Sequence, residues 1–162
     1  MSNEKYIVTR EEIDKMEGRQ VTHFLNENAK RNNKSLGDLT GLTGLGFHII
    51  EIEPGAVTTE YHVHYYEDEC VYVLSGTATS IIGEERAEIK AGDFIGYRKC
   101  GEAHSIENTG TEPFRCIVVG QRLAHDVADY TNKQKRIFRN EGMDWNLADI
   151  DTMVNISVAR KK

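Results

Sequence analysis

Two histidines separated by one residue, His62 and His64, are the strongest chemical signal in this 162-residue sequence. Side chains at positions i and i+2 of a β-strand point to the same face, about 7 Å apart at the backbone, so both imidazoles can converge on one ion. Glu69 follows a bend of acidic and aromatic residues, and an antiparallel return would bring its carboxylate beside the pair. His104 begins a later strand and is expected to close the group from across the sheet.

Three imidazoles and one carboxylate form a ligand set for one divalent transition metal, and manganese, iron, nickel, cobalt and zinc all suit it. A six-coordinate ion would keep two positions for water or substrate, as a catalytic or ligand-binding metal requires. The histidine pair alone could also be two polar residues on the solvated face of a strand. Because Glu69 and His104 stand in register with the pair, we favour the metal site over this alternative.

The elements that must position these ligands are β-strands. From residue 47 onward, short runs rich in Ile, Val, Tyr and Phe alternate with glycine-bearing turns, which is typical of an all-β sandwich or barrel. The pattern predicts seven or eight strands. The candidate strands cover residues 47–53, 60–64, 69–74, 77–82, 85–89, 93–97, 104–108 and 114–120.

The segments on either side of these strands carry weaker signals. Thr9 and Glu12 have capping-box spacing, which predicts a short helix over residues 10–17. Residues 26–46 are polar and punctuated by glycine, and we interpret them as a loop and not as a phosphate cradle. In the polar C-terminal segment, two apolar residues are expected to anchor the chain on the sandwich. They are Trp145 and Leu147.

The chain is expected to form a single domain with three parts. Its length is within the range of one ordinary domain that can bury a core without covalent staples. The predicted parts are an N-terminal extension over residues 1–44, a barrel over residues 45–122 and a C-terminal extension over residues 123–162.

The ligand candidates also resemble the two short motifs of the cupin superfamily. The residues that resemble the first motif are Gly55, His62, His64, Glu69 and Gly76, and those that resemble the second are Gly92, Gly101, His104 and Asn108. The resemblance implies a double-stranded β-helix jelly-roll fold, and implies that the three histidines and the glutamate bind the metal. The overall layout is similar to that of small bacterial cupins likened to mannose-6-phosphate isomerase.

Five further residues near the ligands are candidates for the wall of a pocket. His48 shares strand parity with Ile50 and Ile52, so its imidazole points into the barrel either as a pocket group or as a hydrogen-bonded core histidine. The tyrosines offer either hydroxyl groups to a polar ligand or aromatic packing, and the arginine is either a partner for a substrate anion or an exposed loop cation. The five candidates are His48, Tyr61, Tyr66, Tyr97 and Arg98. His23 and His125 lie outside the motifs and need no functional role.

Composition and charge exclude several classes of partner. With 39% hydrophobic and 28% charged residues and no apolar run of membrane-spanning length, the chain is expected to be soluble, without a membrane partner. A formal charge of −6 would repel phosphate backbones, so nucleic acid is not an expected partner. The acidic N-terminal residues lack the pattern of a signal peptide, and we therefore expect a cytoplasmic location. Three cysteines without a paired spacing are expected to stay reduced.

The strand that begins at Glu69 also predicts an assembly. If Glu69 faces the metal, alternation directs Val71 and Val73 inward and leaves Tyr72 and Leu74 on an apolar outer face. Either a second subunit or the terminal segments must cover that face. We expect a homodimer, as cupins commonly form.

The predicted function is that of a metal-dependent enzyme acting on a small polar metabolite, such as a sugar or hydroxy acid, that chelates through adjacent oxygens. The ion would act as a Lewis acid. The ligands fit isomerase, decarboxylase and dioxygenase chemistry equally well. The alternatives are a metal-assisted module that binds or senses a small molecule without turnover, and a metal-free structural domain.

Overall fold

The computed structural model describes residues 5–154 and is dominated by antiparallel β-strands. A short helix, α1 (Arg10–Lys15), precedes the first strand, and a single-turn helix, α2 (Leu36–Leu39), follows the second. The strands are β1 (Arg19–His23), β2 (Asn26–Ser35), β3 (Leu45–Ile52), β4 (Val63–His64), β5 (Glu69–Ser75), β6 (Thr77–Ile82), β7 (Glu85–Lys90), β8 (Phe94–Tyr97), β9 (His104–Glu107), β10 (Phe114–Gln121), β11 (His125–Tyr130), β12 (Lys135–Asn140) and β13 (Asn146–Asp149). Among the described residues, no helix has both the length and the apolar character needed to cross a membrane.

These strands form three antiparallel sheets. The largest has six strands in the order β1-β2-β3-β10-β5-β8. A four-stranded sheet has the order β13-β12-β11-β4, and a three-stranded sheet has the order β7-β6-β9. Strands distant in the chain are neighbours in these sheets, and the result is the jelly-roll that the sequence predicts.

The core lies between the sheets, on the inward faces of β3, β5 and β10. Ile52, Val73 and Phe114 are at most 1% exposed and lie at its centre. On β5 the predicted alternation is present, because Val71 and Val73 are buried whereas Tyr72 is 46% exposed. One face of this strand therefore belongs to the interior, and the other faces outward.

The N-terminal region differs from its prediction. The capping box that begins α1 is formed, with Thr9 N–H donating to Glu12 over 2.8 Å, but the helix ends at Lys15 and not at residue 17. The prediction of a loop over residues 26–46 is wrong, because β2 covers ten of these residues. Pairing with β1 and β3 stabilises this polar strand, and such tertiary pairing overrides a composition poor in β-branched and aromatic residues.

The segment before the first predicted ligands is also less regular than expected. Residues 60–64 were expected to form a strand, but only Val63 and His64 do so. The preceding residues instead follow β9 through isolated bridges, Val57 opposite Glu107 and His62 opposite His104. Separate bridges hold this segment beside β9 without a continuous ladder of hydrogen bonds.

The C-terminal segment is hydrogen-bonded to the sandwich through β11, where Ala128 lies opposite His64. Its buried contacts come from a small cluster formed by Ala128, Tyr130 and Ile137. The prediction that Trp145 and Leu147 anchor the segment is wrong, because these side chains are 64% and 40% exposed. The extents 1–44, 45–122 and 123–162 of the three parts stay predictions.

Asn108 fixes the turn that follows β9. Its side chain is fully buried, and its Nδ2 atom donates to the carbonyls of Ile52 and Glu112, each over 2.9 Å. Its Oδ1 atom accepts a hydrogen bond from Gly110 N–H over 3.0 Å. One amide therefore connects β3 to the turn between β9 and β10.

We expect Asn108→Ala to lower the free energy of unfolding by about 2–3 kcal/mol, because the buried carbonyl of Ile52 and the partly buried carbonyl of Glu112 lose their donor. Urea denaturation followed by circular dichroism measures this change. The control is Asn146→Ala at an exposed position of β13, which should change stability by less than about 0.5 kcal/mol. Equal stability of the two variants would contradict this role for Asn108.

Candidate metal centre

Two of the ligand candidates lie side by side on neighbouring segments. His62 N–H donates to the carbonyl of His104 over 3.1 Å, and His104 N–H donates to the carbonyl of His62 over 2.8 Å. Directly opposed residues of an antiparallel pair place their side chains on the same face. The centroids of the two imidazole rings are consequently 4.7 Å apart.

The other two candidates approach the same point from different strands. His64 is on β4, and its Nε2 atom lies 3.1 Å from Nε2 of His62. Glu69 begins β5 in the largest sheet, and its Oε1 atom lies 3.9 Å from Nε2 of His104. Potential ligand atoms of His62, Glu69 and His104 all lie within 4.8 Å of one another. The structure thus groups three of the predicted ligands, His62, Glu69 and His104, and places the fourth, His64, beside His62.

The hydrogen bonds of the three imidazoles fit a bound cation. In each ring Nδ1 faces an oxygen atom: the carbonyl of Glu60 at 2.9 Å from His62, that of Glu102 at 3.3 Å from His104, and a carboxylate beside His64. Protonation of Nδ1 satisfies these contacts and leaves a lone pair on each Nε2. The Nε2 atoms of His62 and His64 are 3.1 Å apart, a distance at which they can share either a proton or a bound cation. Among the described residues, the buried Nε2 atom of His104 has no hydrogen-bond partner.

The protonation states suit the same group. Burial, followed by the neighbouring imidazoles, lowers the pKa of His62 to about 3, so this ring is neutral near pH 7 and can act as a ligand. Burial alone would raise the pKa of Glu69, but His104 and the other two histidines outweigh this effect. The net pKa of Glu69 lies below its usual value, and the side chain is a carboxylate.

Asp126, on β11, supports the centre from outside, although no motif in the sequence includes it. Its Oδ2 atom lies 2.6 Å from Nδ1 of His64 and accepts a second hydrogen bond, also of 2.6 Å, from Arg139. Burial alone would raise the pKa of Asp126, but the hydrogen bonds to His64 and Arg139 outweigh burial and lower the pKa to about 2. The resulting carboxylate fixes the His64 ring with Nε2 toward the common point.

A second cluster, His64 with Glu67 and Asp126, is also compact enough to hold an ion. Its carboxylates are already engaged, because Arg139 donates to both Glu67 and Asp126. Glu67 also accepts a hydrogen bond from Leu123 N–H over 2.9 Å. One guanidinium therefore already bridges both carboxylates of this cluster, which acts as the support of His64.

An aromatic ring supports the fourth ligand. Tyr97 stacks on His104 with ring centroids 3.6 Å apart and an angle of 3° between the planes. Tyr97 is 7% exposed and lies opposite Glu69 across the β5–β8 pair. It therefore restricts the orientation of His104 beside the carboxylate of Glu69.

The four ligand candidates line a cavity of about 530 Å³ between the sheets. Of the five candidate pocket residues, His48 and Tyr97 line this cavity. The other three do not line it. The hydroxyl of Tyr61 donates to the carbonyl of Gly83 over 2.9 Å, and Tyr66 packs against the ring of His125. Arg98 lines an adjoining depression of about 480 Å³ that shares Glu69 and Tyr97 with the cavity.

Residues of the N-terminal strands complete the cavity wall. His23 at the end of β1 and Arg31 on β2 both line it, although the sequence indicated no functional role for His23 and assigned residue 31 to a loop. Arg31 shares the inward face of the sheet with Asn33, which pairs with Ile50. Recognising β2 as a strand would have been the signal needed to find Arg31.

Comparison with known proteins identifies the fold family. Residues 48–120 match the cupin domain family. An oxalate-binding protein from Thermotoga maritima is 30% identical over 116 residues, which cover 69% of this chain and 86% of that protein. The chain belongs to the cupin superfamily. The match is consistent with the jelly-roll of this cupin, and its span contains the four ligand candidates.

Two solved structures resemble the cupin over nearly its whole length. A provisionally assigned sugar phosphate isomerase from Acidithiobacillus ferrooxidans is 49% identical, with a TM-score of 0.90 over 94% of this chain and 97% of that chain. A sugar phosphate isomerase of the cupin superfamily from Silicibacter pomeroyi is 23% identical, with a TM-score of 0.78 over 90% and 95% of the two chains. The second likeness concerns the fold alone. Both alignments extend well beyond the cupin-domain match.

The contact between Asp126 and His64 predicts the effect of removing one charge. Asp126→Asn should weaken the affinity of the cupin for a divalent transition metal by about 10–100-fold, as loss of a partner behind a metal-bound histidine typically does. Competition of Mn²⁺ or Zn²⁺ with a chelator measures the affinity.

The matched control is Asp129→Asn. Asp129 is also a buried aspartate of β11 and also pairs with an arginine of β12, Arg136, but its own hydrogen bonds go to Arg136 and Tyr65. We expect this variant to keep the metal affinity of the wild type. An equal loss in both variants would indicate a general effect on stability, and no loss in Asp126→Asn would contradict the supporting role.

Proposed function

We propose that this cupin is a metal-dependent enzyme that isomerises a small, oxygen-rich metabolite of the sugar class. The observation that supports the proposal is the grouping of His62, Glu69 and His104, whose potential ligand atoms lie within 4.8 Å of one another in a cavity that His64 also lines. A cavity of about 530 Å³ is within the usual size of a small-molecule site. A structural site would have no need of such a space beside it.

A bound divalent ion would supply Lewis-acid stabilisation of negative charge on a substrate oxygen. The protein's own residues do the remaining work. The three imidazoles and Glu69 hold their donor atoms toward the cavity, and Tyr97 and Asp126 keep His104 and His64 in orientation. The sheets exclude bulk water from one side of the cavity, where Ile50, Val71 and Val118 form an apolar wall.

His48 is the group that we propose as the acid or base. Its Nδ1 atom is buried and has no hydrogen-bond partner among the described residues. Burial, followed by the charge of Arg122, lowers its pKa, so the imidazole is neutral near pH 7 and can accept a proton. Strand pairing places His48 and Glu69 on the same sheet face, because His48 opposes Val118 and Val118 opposes Val71.

Isomerisation of a hydroxycarbonyl compound needs only proton movement within the substrate. A base takes a proton from the carbon that bears the hydroxyl group, and the protonated base returns it to the former carbonyl carbon, while the hydroxyl proton moves to the other oxygen. No oxidant or second substrate is consumed. His48 lines the cavity and can both accept and return a proton, so this one group would serve both steps of the isomerisation.

The relatives support a sugar-type substrate and also an alternative. The 49% identical protein from Acidithiobacillus ferrooxidans is provisionally assigned as a sugar phosphate isomerase, and it matches 94% of this chain. The 30% identical Thermotoga maritima relative is named an oxalate-binding protein, which favours a binding module without turnover as the second candidate. Decarboxylase and dioxygenase chemistry use the same kind of ligand set, and the product of turnover distinguishes them.

Metal content is the first test of the proposal. Elemental analysis of protein purified without chelators should find roughly one transition-metal ion per chain, the stoichiometry of a site with four protein ligands. Glu69→Gln and His104→Gln should lose most of this metal. His125→Gln, which changes an exposed histidine outside the centre, should keep it. Wild-type protein that contains no metal and binds none would contradict the proposal and favour a metal-free structural domain.

Turnover is the second test. Nuclear magnetic resonance of metal-loaded protein with aldoses, ketoses and their phosphates should detect interconversion. His48→Gln should lower kcat by at least about 100-fold, the usual contribution of a general base, and leave the metal content unchanged. Binding of a sugar without any interconversion would contradict the enzymatic proposal and support the binding module.

We also propose that the cupin forms a homodimer through the outer face of its largest sheet. Register places one apolar residue of each of four adjacent strands in a single outward row: Ile49, Ile117, Tyr72 and Phe94. Tyr72 is 46% exposed and Phe94 is 67% exposed, whereas Ile49 and Ile117 are half-buried, so the described terminal segments leave the β5–β8 end of this row uncovered. A two-fold axis would bury the same patch on both subunits. The cytoplasmic location and the absence of nucleic-acid and membrane partners stay predictions.

Sedimentation velocity at micromolar concentration should show a dimer for the wild type. Phe94→Glu should produce a monomer, because it introduces a charge at the exposed end of the row. The control is Met143→Glu, at a residue that is 66% exposed but distant in sequence from these strands. A compact wild-type monomer would contradict the dimer.

A further inference from the structure

Arg31 places a positive charge in the cavity from a strand outside the cupin-domain match. The match covers residues 48–120, whereas Arg31 lies on β2 of the N-terminal extension. The pairing of Asn33 with Ile50 directs Asn33 toward the interior, and Arg31, two residues earlier, shares that face. Arg31 and the four ligand candidates line the same cavity.

The charge of Arg31 has no counter-ion among the residues of the described range 5–154. One hydrogen bond is formed, from Nη1 to the carbonyl of Thr58 over 2.6 Å, and no carboxylate oxygen lies within ion-pair distance. Burial lowers the pKa of Arg31, and Glu69 and Tyr130 oppose this shift. A guanidinium stays protonated at physiological pH, so the cavity contains a positive charge that has no direct ion pair among the described residues.

Two partly buried arginines of β12, Arg136 and Arg139, differ from Arg31 because each forms ion pairs with carboxylates. Arg136 binds Asp129 through two hydrogen bonds of 2.6 and 2.7 Å. Arg139 donates to Asp126 over 2.6 Å and also to Glu67. Removing a charged group from water is costly unless a partner compensates it, and both of these arginines have such partners.

The carboxylates of the cavity wall are committed to other contacts. Three of them line the cavity: Glu67, Asp68 and Glu69. Glu67 pairs with Arg139, Asp68 accepts a hydrogen bond from Lys99 N–H over 2.8 Å, and Glu69 belongs to the metal centre. The guanidinium therefore faces a space in which an anion from outside the chain would be its natural partner.

We propose that Arg31 binds the anionic group of a ligand whose neighbouring oxygens reach the metal centre in the same cavity. This inference rests on the proposed function and narrows its substrate class to sugars that carry a phosphate or a carboxylate. The fork of guanidinium donors matches both kinds of anion. His23 and His48 line the cavity as well and add imidazole nitrogens to this wall without a negative charge.

The experiment compares three ligands that differ only at carbon 6 of one sugar, glucose, glucuronate and glucose 6-phosphate, together with inorganic phosphate. Dissociation constants are measured by calorimetry and by thermal shift on wild-type protein, Arg31→Met and Arg31→Lys. The control variant is Arg98→Met, which removes an exposed arginine outside the cavity. Metal content is determined for every sample.

For the wild type we expect at least one anionic form to bind about tenfold or more tightly than glucose, the effect of a charged hydrogen bond. Arg31→Met should remove this preference and the stabilisation by inorganic phosphate, whereas Arg98→Met should keep both. Arg31→Lys should retain part of the preference, which covers the case in which Arg31→Met does not fold. A preference for phosphate over carboxylate, or the reverse, identifies the natural anion.

Equal responses of wild type and Arg31→Met to all of these anions would overturn the inference. Repeating the binding measurements with and without metal distinguishes this result from failure of the proposed function. If binding depends on Arg31 but is the same with and without metal, the anion site stands and metal-assisted chemistry is contradicted. If binding depends on metal but not on Arg31, the proposed function stands and the anion site is contradicted.

Discussion

The paired backbone hydrogen bonds between His62 and His104 are the constraint on which the candidate centre depends. They fix two residues that are distant in the chain directly opposite each other, and every further ligand is placed relative to this pair. Val63 and His64 then continue into a short strand that pairs with β11, and β5 supplies Glu69 from the opposing sheet. The jelly-roll thus brings residues that are far apart in the sequence close together in space.

Electrostatics makes this arrangement suited to a cation. Imidazole nitrogens and one carboxylate with their atoms a few ångströms apart form a group that a positive charge would stabilise. The surroundings reinforce the effect, because Asp126 holds His64 from behind and Arg139 in turn neutralises Asp126. Polar contacts beyond the ligands therefore determine which ring nitrogen faces the cavity.

Sequence reasoning was effective where a local pattern reports a local geometry. The histidine and glutamate spacing, the alternation along β5 and the capping box at Thr9 were all readable, because each depends on residues a few positions apart. It failed for β2, whose polar residues form a strand only because β1 and β3 pair with it. The roles of Asp126 and Arg31 were not predicted, since they arise from pairings between distant segments. Trp145 was predicted to be an anchor, but its side chain is exposed.

Anomalous diffraction from crystals of the native protein, recorded at the absorption edge of the bound transition metal, tests the central claim most directly. The account predicts one strong peak within about 2.0–2.3 Å of Nε2 of the three histidines and of a Glu69 carboxylate oxygen. The absence of a peak at this position, or a peak between Glu67 and Asp126 where Arg139 now lies, would contradict it.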